Sequence, residues 1–138
     1  MRTDRFRGFS RLATAELALF VLLGLHTLDH AVNQPARDLP AGAGLIGVGG
    51  FAIVAAAIVL ELSRSRIAAV AAVAAGGLTV LGFLAIPIVG FGPFADPYSD
   101  FDANALSWVL LLAPTLAAVV VTALGLEELR AERTPARA

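Results

Sequence analysis

The sequence predicts an all-α integral membrane protein, with four transmembrane helices in one antiparallel bundle and both termini cytoplasmic. Three observations carry this. Of 138 residues, 58% are hydrophobic and only 15% are charged, and mean hydropathy is +0.81. A soluble domain of this size would have to expose much of that apolar surface to water. Four apolar segments reach the roughly 20 helical residues that a bilayer crossing needs. Finally, every basic residue is arginine, and nine of the ten fall on one side of those segments.

The four spans are expected at 11–32, 42–62, 67–90 and 103–126, with 127–138 as a cytoplasmic tail and 1–138 as a single membrane domain. The first span follows an arginine-rich start, MRTDRFRGFSR, which resembles the n-region of a signal peptide. Glu16 interrupts the apolar run, and Ala41-Gly42-Ala43 comes too late to be a cleavage site, so an uncleaved span is expected. The second span, AGLIGVGGFAIVAAAIVLEL, is rich in glycine at its outer end. The third and fourth contain Pro87 and Pro114. Each proline should leave the carbonyl one turn earlier without its helical donor and bend the helix.

Orientation follows from arginine placement. Arg2, Arg5, Arg7 and Arg11 precede the first span, Arg64 and Arg66 lie between the second and third, and Arg130, Arg133 and Arg137 follow the fourth. The two outer loops hold only Arg37 against Asp29, Asp38, Asp96, Asp100 and Asp102. Phe91, Phe94, Tyr98, Phe101 and Trp108 cluster as an interfacial aromatic belt would, and Asp100 or Asp102 is the expected N-cap of span four. Arginine without lysine, with abundant Ala, Val, Leu and Gly, points to a GC-rich prokaryotic source and hence the plasma membrane.

Lipid-immersed helices associate by close packing of small residues. The expected contact faces are Ala68, Ala72 and Gly76 with Ala71, Ala75 and Thr79 on span three, and Ala113, Ala117, Ala118 and Thr122 on span four. On span two they are Ala52 and Ala56, with Gly42, Gly44, Gly47, Gly49 and Gly50 nearer the outer end. The exits IVLELSRSR (58–66) and LGLEELRAER (124–133) resemble each other, as positive-inside flanks would by themselves.

Chemistry-bearing residues are few. The absence of cysteine removes thiolate sites and thiol catalysis. No nucleophile elbow, phosphate loop or HExxH is present, which leans against an enzyme, and a charge of −1 gives no nucleic-acid signal. What stands out is LHTLDHAVNQP, residues 25–35. On a helix, His26, Asp29, His30 and Asn33 share one face, and Glu16 lies near the same face about 15 Å away. Facing lipid would be costly, so the stripe should face the bundle interior, the outer water layer or a partner.

Three chemistries fit that stripe. A divalent transition metal could take His26, His30 and Asp29, with Asp96, Asp100 or Asp102 of the DPYSDFD loop completing the set. Bis-histidine haem is disfavoured, because both histidines lie on one helix face. A proton or ion path could use the histidines and the intramembrane polar residues Glu16 and Asn33. The plainest reading is structural: the helix end emerges into water, His26 hydrogen-bonds within the bundle, and Glu16 snorkels or pairs with Arg11 or another N-terminal arginine. Two functions follow. The first is a non-enzymatic accessory or partner-binding membrane subunit that packs against itself or a larger complex in the bilayer. The alternative is a metal-linked redox or ion/proton transport protein with its site at the outer membrane face.

Overall fold

The computed structural model describes residues 9–33, 43–88 and 103–133. They form four helices, and no strand occurs among them: α1 (Arg11–Asn33), α2 (Ala43–Leu62), α3 (Ala68–Phe83) and α4 (Ala105–Arg133). α3 runs on into a π-helical turn, Leu84–Ile88. Along α1, along α3 with its π-helical turn, and along α4, the stretches Arg11–Val32, Ala68–Ile86 and Ala105–Arg133 are long and apolar enough to cross a membrane. Gly47–Leu62 of α2 is apolar but shorter.

Three helix ends have an identifiable cause. Ser10 caps α1, its Oγ accepting from the Ala13 amide at 2.9 Å and donating to Glu61 Oε1 at 2.6 Å. The second bond ties the start of α1 to the end of α2. α2 stops at a Schellman-type turn. Arg64 takes a positive φ of 55°, the Arg64 amide bonds the Glu61 carbonyl, and the Ser65 amide bonds the Leu60 carbonyl.

Asn104 caps α4, since its Oδ1 accepts from the Ser107 amide at 3.0 Å. This corrects the expectation of an Asp100 or Asp102 cap. The helix starts at Ala105, and a capping side chain reaches only the first turn after it. Asn104→Ala should destabilise the helix by about 1 kcal/mol, measured as a lower unfolding midpoint in detergent.

The helices close a ring in which each touches the next and α1 touches α4, with α3 against α4 the closest pairing. The core is built from Leu12, Leu19 and Leu23 of α1, Val54, Ala57 and Ile58 of α2, Ala72 and Ala75 of α3, and Ala118 and Val121 of α4. Large apolar side chains cover the outside of every helix, among them Val21, Val59, Leu81 and Leu116. An apolar exterior, with small residues where α3 meets α4, is the arrangement expected of helices in lipid.

The α3–α4 seam depends on two glycines. A Cβ at Gly76 would lie 2.6 Å from the Ala118 carbonyl oxygen and would also meet Thr122 Oγ1. At Gly125 it would lie 2.9 Å from Val73 Cγ2 and 3.0 Å from the Ala69 carbonyl oxygen. Position rises along α3 as it falls along α4, so these two helices run in opposite directions. The expected face Ala68, Ala72 and Gly76 is buried here.

α2 differs from expectation. Ala52 and Ala56 are exposed, and the inward residues are Val54, Ala57 and Ile58. Nearly the whole helix is apolar, so sequence offers no polar face to set its rotation; the neighbouring helices set it instead. The π-turn contains Pro87, the residue expected to disturb α3.

Candidate functional site

α1 carries two buried polar centres, ten residues or about 15 Å apart along its axis. One contains His26, Asp29 and His30. The other is Glu16.

In the first, the His26 and His30 rings meet edge to face at 4.9 Å, and the Phe83 ring of α3 lies 4.8 Å from His26. Asp29 is buried, and both histidines are half-buried. Across the helix interface, His26 hydrogen-bonds the backbone of Leu110 in α4. Leu110 lies four residues before Pro114, and Pro114 is buried inside α4. The Leu110 carbonyl is therefore the one that proline deprives of its helical N–H donor. In lipid such a carbonyl must find another donor, and the His26 imidazole N–H supplies it. The proline expected to free a carbonyl and the histidine expected to bond within the bundle form one contact.

Among the described residues, no three His, Asp or Glu side chains are grouped closely enough to hold a metal ion. Asp96, Asp100 and Asp102 lie outside the described residues, as does the side chain of Asn33, so the expected convergence of loop and stripe falls outside them too. Asp29 is near enough to act on the charge of His26. Its place on the buried face agrees with the helical spacing.

The second centre departs from expectation. Glu16 does not snorkel to the surface. It is fully buried, at 0% exposure, and neither carboxylate oxygen has a hydrogen-bond partner among the described residues. Arg11, the nearest described arginine in sequence, is exposed. The charged groups that act on Glu16 are Glu61 of α2 and Glu128 of α4. Three helices thus bring three carboxylates to one end of the ring. Beside them a shallow groove is lined by Arg11, Leu12, Leu124, Glu127, Glu128 and Ala131.

Sequence reasoning singled out Glu16 but not Glu61 or Glu128 as its companions. The available signal was the resemblance between IVLELSRSR and LGLEELRAER: both exits carry glutamate just ahead of arginine, and the fold brings both beside the start of α1.

The chain matches no known protein family, and no curated protein or solved structure shows significant similarity to it.

Proposed function

We propose that the protein is a partner-binding subunit of the plasma membrane. It has four antiparallel spans, both termini on the cytoplasmic side, and an outer half of α2 that receives a transmembrane helix from another copy or a larger complex. The observation that supports a partner is the contrast among the glycines. Gly76 and Gly125 lie against the backbone of the neighbouring helix, whereas among the described residues nothing approaches within 4 Å of a Cβ built at Gly47, Gly49 or Gly50. Gly47 and Val48 are exposed. Small residues let transmembrane backbones approach closely, and this stretch of them is unused by the chain's own helices.

Support for the orientation comes from where the arginines gather. The Ser10–Glu61 bond joins the start of α1 to the turn holding Arg64 and Arg66. Gly125 lies against Ala69 and Val73, so the end of α4, with Arg130 and Arg133, is beside the start of α3. Arginine concentrated at one end is the positive-inside pattern.

A photo-crosslinking side chain at Val48 tests this in native membranes, with exposed Val70 of α3 as control. A discrete adduct is expected from Val48 alone. Equal, diffuse labelling from both positions would sink the partner reading. Because the natural chain lacks cysteine, Ser63→Cys reports orientation cleanly: it should resist an impermeant maleimide until the membrane is permeabilised.

A further inference from the structure

We propose that Glu16 is a proton-binding site within the ring, entered from the groove beside Arg11, Glu127 and Glu128 and flanked by the carboxylates of Glu61 and Glu128. The inference is independent of the partner on α2.

Four observations meet here. Glu16 is fully buried. Neither of its oxygens has a donor among the described residues. The side chains that act on its charge are both acidic. The groove reaches Leu12, one turn before Glu16 on α1, and Leu124, one turn before Glu128 on α4.

Among the described residues, the arginines at this end, Arg11, Arg64, Arg66, Arg130 and Arg133, are all exposed, and none bonds a Glu16 oxygen. α1 brings Arg11 to the groove, but exposed. α2 brings Glu61, already bonded to Ser10. α4 brings Glu127 and Glu128, and α3 carries no ionisable residue over Ala68–Phe83. A carboxylate anion held without donors in apolar surroundings is costly, and neighbouring anions add to that cost.

The remedy must be a cation small enough for a fully enclosed group. The described carboxylates do not form a metal-ligand set, and Glu16 has no surface to offer an ammonium or guanidinium. A proton meets both limits. Delivered from water at the groove, it forms an O–H bond on Glu16, and the charge of the cluster rises by one. Glu128 lines the groove and also acts on Glu16, which makes it the flanking group nearest the entry. Ionisable groups retained inside membrane helices commonly handle ions or protons.

The test is infrared spectroscopy of the full-length protein in proteoliposomes, titrated with pH in H₂O and D₂O. The wild type should show the carbonyl stretch of a protonated carboxyl group that shifts on deuteration, and Glu16→Gln should lack it. Glu61→Gln removes a neighbouring negative charge, so an anion at Glu16 becomes less costly. The titration midpoint of the band should then move to lower pH, by on the order of one unit. A wild-type band that is absent at every pH, or that persists unchanged in Glu16→Gln, would overturn the proposal. Should Glu16→Gln fail to fold, the Glu61→Gln arm decides: an unmoved midpoint refutes the assignment.

Discussion

Gly76→Ala loosens the α3–α4 seam and lowers stability by about 1–3 kcal/mol, the range for forcing an extra carbon into a packed interior. Two effects compete. Alanine is the better helix former by roughly 0.5–1 kcal/mol, which favours the variant. Against this, the new Cβ would lie 2.6 Å from the Ala118 carbonyl oxygen. That atom is backbone within a helix and cannot rotate away, so the helices must separate and the clash prevails. Gly77→Ala is the matched control, because a Cβ there meets nothing within 4 Å among the described residues. Unfolding of the purified protein in mixed detergent should show a clear loss for Gly76→Ala and no loss for Gly77→Ala. Equal behaviour of the pair would show that the seam is not closed at Gly76.

The second large effect is a coupling rather than a single loss. His26→Ala removes the donor that reaches the Leu110 backbone and leaves the proline-freed carbonyl of a half-buried residue without that partner, at a cost of about 1–3 kcal/mol. Pro114→Ala restores an N–H four residues after Leu110, so the carbonyl can bond within α4. In that background the cost of His26→Ala should shrink. The expected coupling energy is about 0.5–1.7 kcal/mol, bracketing the values found for polar contacts between membrane helices. Four unfolding curves measure it. Additive costs would mean that His26 contributes through its contacts with Phe83 and His30 instead.

These predictions mark where sequence was informative. The apolar runs located the start of each helix to within two residues, because lipid tolerates only backbone whose hydrogen bonds are made internally; the end of α4 was not located, since the helix runs to Arg133, seven residues past the expected span. The spacing of Ala68, Ala72 and Gly76 marked the α3 seam, since residues four apart share a helix face. Asp29 was legible as inward-facing for the same reason. Ala52 and Ala56 of α2 were misleading, because an almost uniformly apolar helix carries no polar face to fix its rotation. Glu16 was legible as unusual but not as buried. Its depth depends on α2 and α4 closing over it, and nothing within α1 records that. The N-cap of α4 was misplaced by two residues or more, because Asp100, Asp102 and Asn104 all have capping chemistry and only the helix start distinguishes them.

By itself, the sequence determined the kind of molecule: a chain whose apolar segments must be helical and whose exterior must face something other than water. It also determined that Pro114 would leave one carbonyl in need of a donor, which is a covalent property of proline. Only the tertiary structure decided that the donor is His26, and that Glu16, Glu61 and Glu128 gather at one end of the ring. Both are pairings between helices, fixed by packing across 45 residues or more of chain, and local periodicity carries no information over that separation.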